Sequence, residues 1–88
     1  MKCNAIVAHE IGGPEVMKWE EIEVSDPGPD EALIRHTGVG MNFIDVYFRT
    51  GLYPAPAMPL CPGMEGAGVV EKVGDGVTEV AAGDRVAY

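Results

Sequence analysis

Eighty-eight residues carry 14 acidic against 6 basic side chains, a formal charge of -8, so the basic footprint that holds nucleic acid or an anionic membrane surface is missing. An apolar fraction of 47% with 23% charged residues is that of an ordinary globular domain and excludes a disordered chain. Twelve glycines and seven prolines break the chain too often for a helix bundle, and the length leaves room for one core but not for a complete cofactor-dependent enzyme.

Cys3 and Cys61 lie far apart with no C-x-x-C spacing, so neither a disulfide framework nor a four-thiolate zinc site can be assembled from them. They read as free thiols in a reducing compartment. The first ten residues hold an apolar run too short for a secretory leader, and no apolar stretch approaches the ~18 residues of a membrane span. Together these features predict a cytoplasmic protein.

Lys2 to Ala8 is predicted as a first strand, ended where Ile11-Gly12-Gly13-Pro14 breaks any regular element. Met17 to Val24 places Met17, Trp19 and, after a slip at Glu20-Glu21, Ile22 and Val24 on one half-buried face, a second strand with a bulge. Turn-forming residues fill Ser25 to Asp30. Glu31 to Val39 alternates Ala32, Ile34 and His36 against Leu33, Arg35 and Thr37, a third strand whose inward face the pattern leaves open.

From Asn42 the period changes. Phe43, Val46 and Tyr47 follow helical spacing, as do Ile44, Tyr47 and Phe48, so one short helix is predicted here. Asn42 suits the N-cap, its side-chain oxygen accepting an orphan backbone N–H, and Gly51 suits a left-handed end. Prolines 54, 56, 59 and 62 then make a stiff extended loop. Gly66 to Val73 reads as a strand, Gly74-Asp75-Gly76 as a tight turn, and Gly83-Asp84 as a turn into a last strand ending at Tyr88. No repeat or low-complexity tract interrupts residues 1–88, which read as one domain.

Dinucleotide phosphate needs G-x-G-x-x-G between a strand and a helix, yet Gly66-x-Gly68 leads to Glu71 and Gly38-x-Gly40 to Phe43. Pro56-x-x-Pro59-x-x-Pro62 fits the PxxP pattern without a basic anchor, and reads as a rigid loop. His9 and His36 stand apart from the cysteines and from each other, and neither is offered as a metal ligand. The glycines at 63, 66, 68, 74 and 76 each have a local reading, positive φ or close backbone approach in a curved sheet.

Taken jointly, Gly63-Met64-Glu65-Gly66-Ala67-Gly68 through Gly74-Asp75-Gly76-Val77, followed by Gly83-Asp84-Arg85-Val86, resembles the signature of the medium-chain dehydrogenase/reductase superfamily. Gly40-Met41-Asn42-Phe43-Ile44-Asp45-Val46-Tyr47 to Pro54, with Gly12-Gly13-Pro14-Glu15-Val16, is similar to its zeta-crystallin-like quinone oxidoreductase branch. The resemblance covers essentially all 88 residues. It implies a fold that is mainly β with a short helix, a partial GroES-like β-barrel. It also implies that 1–88 is the N-terminal part of a catalytic domain, the Rossmann domain for the nucleotide being absent from this chain.

Zinc-dependent members carry a cysteine ligand where Asn42 stands and a histidine where Met64 stands. An amide and a thioether do not build a catalytic zinc site, so the resemblance implies zinc-independent chemistry, with Glu65 satisfying polar groups at a sheet edge. By motif matching, Asn42 and Tyr47 are substrate-pocket positions, and Tyr53 walls the pocket by stacking on a flat quinone. Hydride delivery to a quinone or an α,β-unsaturated ketone builds negative charge on the carbonyl oxygen, which the Asn42 amide and the Tyr47 hydroxyl can stabilise as neutral donors. On spacing alone, Asn42 reads rather as a helix cap and Tyr47 as a core aromatic, and the resemblance reverses that preference.

The resemblance thus implies part of an NADPH-dependent quinone oxidoreductase acting on a quinone or enone, inactive as 88 residues alone and homo-oligomeric. Two alternatives stand beside it. An enoyl reductase fragment would use the tyrosine as a proton donor, and a free-standing GroES-like barrel would be an oligomerising or binding module with no redox activity.

Overall fold

The computed structural model describes residues 1–88, in five strands, one α-helix and one 3₁₀ turn. Two compact units form within the chain. One is built from Lys2–Val24 with Met41–Met64, the other from Ser25–Gly40 with Glu65–Tyr88 and Met1.

In the first unit, β1 (Lys2–Ala8) and β2 (Met17–Glu23) form an antiparallel hairpin, paired without interruption from Lys2↔Glu23 to Ala8↔Met17. A 3₁₀ turn at Pro14–Val16 joins them, started by a proline whose missing N–H is no loss at that position. The continuous register corrects the bulge expected at Glu20-Glu21. Strict alternation puts Glu20 and Ile22 on the half-buried face beside Ala5 and Val7, and leaves Trp19 68% exposed opposite Ile6. Glu20 is tolerated there because both its carboxylate oxygens meet His9 Nε2, at 2.9 and 2.7 Å.

The core of this unit is Ala8, Val16 and Leu60, with Phe48 and Ala55 packed against it. Ala8 and Leu60 exchange both backbone hydrogen bonds at 2.8 Å, which fixes the proline-rich loop to the end of β1. That loop has the extended, helix-free course its prolines predict, with Met58–Pro59 in cis. Helix α1 (Phe43–Thr50) ends at Gly51, whose φ of 86° is the left-handed value predicted for it.

In the second unit, β3 (Ala32–Gly40), β4 (Glu65–Val73) and β5 (Arg85–Ala87) form an antiparallel sheet in that order. Its register shifts twice. Glu71 is the extra residue on β4 between Leu33 and Ile34, and Thr37 the extra residue on β3 between His36 and Gly38. The first shift puts both Leu33 and Ile34 half inward, which explains why alternation alone left the face of β3 undecided. The Glu71 carboxylate at the first bulge is bonded by Arg35 Nε at 2.7 Å. Val70 is the one side chain of this sheet that is almost wholly enclosed.

The glycine-rich stretch does two different things. Gly63 and Gly76 have positive φ, whereas Gly68 lies so close to β3 that an added Cβ would stand 2.1 Å from the Arg35 carbonyl oxygen. On the surface, Lys72 Nζ meets Asp26, and that hydrogen bond, with the ammonium's charge, holds the Asp26 carboxyl below its ordinary value of 3.8. Because folding lowers this pKa, the pair's contribution is present above the unfolded value and is lost as pH falls through the folded one, below about pH 4.

Two predictions follow from these contacts. In an NMR titration, Lys72→Met returns the Asp26 pKa upward toward 3.8, with little change in stability at neutral pH because both groups are solvated; an unmoved pKa contradicts the pairing. Gly51→Ala lowers unfolding stability by about 1–2 kcal/mol, the cost of a side chain in the left-handed region, and unchanged denaturant unfolding contradicts it.

Candidate functional site

The three residues singled out by motif, Asn42, Tyr47 and Tyr53, all belong to the first unit, on and just after helix α1. The apolar residues Phe43, Ile44, Val46, Tyr47 and Phe48 wrap around a helix of only eight residues. Phe48 turns to the Ala8–Val16–Leu60 core, while Phe43 is 82% exposed.

Asn42 occupies the N-cap with extended backbone angles, φ -129° and ψ 165°, as predicted. The cap is a capping box, with the Asn42 side chain facing the N3 backbone N–H and the Asp45 side chain on the Asn42 N–H. The Asp45 N–H also donates to the Asn42 backbone carbonyl at 3.0 Å, and the Asn42 N–H donates to Asp45 Oδ2 at 2.8 Å. Asp45 is 2% exposed, the buried charged side chain of the chain. Asn42 is exposed.

Past the helix the chain turns back on itself. The Tyr53 N–H donates to the Tyr47 carbonyl at 3.1 Å, and the Tyr53 ring meets Tyr47 edge-on, centroids 5.3 Å apart and planes at 67°. Phe48 stands at 5.9 Å and 74° on the same ring. Such edge-to-face pairs suit the positive rim and negative face of aromatic rings. The structure therefore joins Tyr47 to Tyr53, with Asn42 at the head of the helix about 7.5 Å away along its axis.

At its C-terminal end the helix is tied to the loop after β1. The Gly12 N–H donates to the Arg49 carbonyl at 2.9 Å, and Arg49 Nη1 returns a bond to the Gly12 carbonyl at 3.4 Å. Ile11 lies against Gly51, where an added Cβ would meet its Cδ1 at 2.8 Å. A concavity of about 390 Å³ opens nearby, lined by His9, Glu10, Ile11, Gly12, Glu15, Val16 and Lys18, and it includes none of the three motif residues.

Two residues of this site were missed by reading the sequence. Asp45 has a local signal, an acid three positions after an N-cap asparagine, the spacing of a capping box. Phe48 as a second ring on Tyr53 has no local signal, because the contact needs the chain reversal at Gly51. Elsewhere, the Glu65 side chain lies over Gly40, its cross-strand neighbour, consistent with a role at the sheet rather than in chemistry.

The donor sets decide which groups these residues can hold. No three His, Cys, Asp or Glu side chains gather to hold a metal ion, and Asn42 with Met64 offers an amide and a thioether. Nor do the residues fit a dinucleotide phosphate: Gly66 and Gly68 are paired within β4, and that strand is followed by a turn rather than a helix. No helix is long and apolar enough to cross a membrane.

A family model described as the alcohol dehydrogenase GroES-like domain matches residues 28–88. A quinone oxidoreductase of Pseudomonas aeruginosa is 53% identical over 77 residues, 88% of this chain and 24% of that protein. The crystal structure of Escherichia coli quinone oxidoreductase complexed with NADPH matches with a TM-score of 0.94 and 46% identity, over 98% of this chain and 26% of that one. A cobalt- and zinc-bound thermostable alcohol dehydrogenase from Pyrobaculum aerophilum matches at 0.91 and 41%, over 99% of this chain and 26% of that one. The chain thus spans about a quarter of the length of the proteins it matches.

Proposed function

The chain belongs to the alcohol dehydrogenase GroES-like domain family, and from that premise we propose that it is the N-terminal part of the catalytic domain of an NADPH-dependent quinone oxidoreductase that works without zinc. The substrate is a quinone or an α,β-unsaturated ketone. The observation that carries this reading is the state of Asn42, an exposed side chain at a helix N-terminus whose Nδ2 donors are not used by a cap made through its oxygen. The NADPH complex of the Escherichia coli relative supports the cofactor, and the coverage of about a quarter supports a nucleotide-binding Rossmann domain in the rest of the parent.

NADPH, held mainly outside this chain, supplies the hydride. What this chain supplies is the wall that receives the acceptor. As charge builds on the acceptor carbonyl oxygen, the Asn42 amide and the Tyr47 hydroxyl act as neutral donors to it. Tyr53, fixed by its ring contacts and its backbone bond to Tyr47, offers a flat surface to a flat substrate.

Zinc is the discriminating issue, because the Pyrobaculum relative of the same fold binds it. The reading of zinc independence rests on the donors at positions 42 and 64, neither of which suits that ion. Without the nucleotide domain the 88 residues alone are inactive. With β3 and β5 at the edges of an open three-stranded sheet they associate, and the exposed thiols of Cys3 and Cys61 suit the cytoplasm.

The test is turnover of the intact parent with NADPH and a panel of quinones and enones. Asn42→Ala and Tyr47→Phe each lower kcat/KM about tenfold to a few hundredfold, up to roughly 3 kcal/mol for a donor acting on developing charge, and leave the KM for NADPH nearly unchanged. Full turnover in both variants, or zinc retained stoichiometrically after dialysis, contradicts the reading.

A further inference from the structure

A carboxylate removed from water is costly unless hydrogen-bonded, and Asp45 is 2% exposed with the Asn42 N–H as its bonded donor at 2.8 Å. A solvated carboxylate in the first turn would favour the helix dipole equally well, so helix stability alone does not require burial. An asparagine at an N-cap ordinarily commits its side-chain oxygen to the N2 or N3 N–H. Here the Asn42 side chain faces the N3 N–H in a capping box, its Nδ2 taking no part, and the Asp45 N–H is bonded to the Asn42 main-chain carbonyl. Asp45 therefore grips residue 42 through the backbone on both sides, by its carboxylate and by its own N–H.

We propose that Asp45 is the positioning residue of the pocket: its buried carboxylate pins the Asn42 main chain so that the Asn42 Nδ2 is held in place to donate to the substrate carbonyl. This rests on the reading of Asn42 as a substrate donor. Asp45 has no contact with the reacting atoms and acts only through residue 42. Removing the carboxylate orphans the Asn42 N–H, which then competes for the asparagine's own side-chain oxygen or draws water to the cap. Either way the amide leaves the geometry that the developing oxyanion needs, and small misplacements of such donors are expensive in rate.

The experiment is a double-mutant cycle in the intact parent enzyme, read as quinone reduction by NADPH. Asp45→Ala is expected to lower kcat roughly tenfold to a hundredfold, the usual cost of losing a group that orients a reacting one, with the KM for NADPH unchanged. In the Asn42→Ala background the same substitution should change kcat little, since no amide remains to be placed. Asp45→Asn, whose amide oxygen can accept the same N–H, should recover most of the loss. Amide hydrogen exchange at Asn42 should quicken in Asp45→Ala and not in Asp45→Asn.

Equal losses from Asp45→Ala in the two backgrounds, or full turnover of the single variant, overturn the proposal. If Asp45→Ala does not fold, Asp45→Ser takes its place in the cycle, with the same expectation of a loss that disappears when Asn42 is alanine. The two readings fail separately. Unimpaired Asn42→Ala removes the donor reading itself, whereas impaired Asn42→Ala with additive effects at position 45 removes only the positioning role.

Discussion

An eight-residue helix has almost no stability of its own in water, so the geometry of α1 depends on what clamps its two ends. At the N-terminal end the clamp is the buried Asp45 carboxylate on the Asn42 N–H. At the C-terminal end it is the reciprocal pair between Gly12 and Arg49, with Gly51 turning the chain away in a conformation that a side chain would resist. The loops that supply these partners are themselves fastened where Ala8 and Leu60 exchange backbone hydrogen bonds. The placement of this helix therefore rests on contacts far apart in sequence.

The chemistry assigned to the site follows from which donors those clamps leave free. Asn42 and Tyr47 are uncharged, and a net charge of -8 leaves little positive field to stabilise an oxyanion from a distance. On the proposed reading, stabilisation comes from short, oriented dipoles, whose worth depends on being held still before the reaction begins. That requirement gives physical content to the burial of Asp45 and to the two edge-on ring contacts of Tyr53. A zinc ion would relax it, by supplying charge that needs far less precise placement, but the amide of Asn42 and the thioether of Met64 are poor ligands for that ion.

Local rules went far with this chain. The strands, the helix bounded by Asn42 and Gly51, and the proline loop all follow from periodicity and from residues with few backbone options. The rules failed where a non-local partner decides. At Glu20-Glu21 the spacing of Met17, Trp19, Ile22 and Val24 suggested a slipped strand, whereas the register is continuous and Glu20 is held by His9. At β3 the alternation was defeated by an extra residue on the opposite strand, Glu71, which no reading of Ala32 to Gly40 could reveal. At the site, motif matching singled out Asn42 and Tyr47, and its place at the loop entrance Tyr53, yet only the packed unit reveals that the Asp45 carboxylate on the Asn42 N–H is buried. Burial is a property of the packed unit and not of the capping motif.

The most direct test of the account is a crystal structure of the intact protein with NADPH and a quinone or enone bound together. The account predicts the substrate's carbonyl oxygen within hydrogen-bond distance of Asn42 Nδ2 or Tyr47 Oη, the ring of Tyr53 along its plane, and Asp45 Oδ2 still on the Asn42 N–H. A substrate seated away from these side chains, or a zinc ion ligated at the head of helix α1, would contradict it.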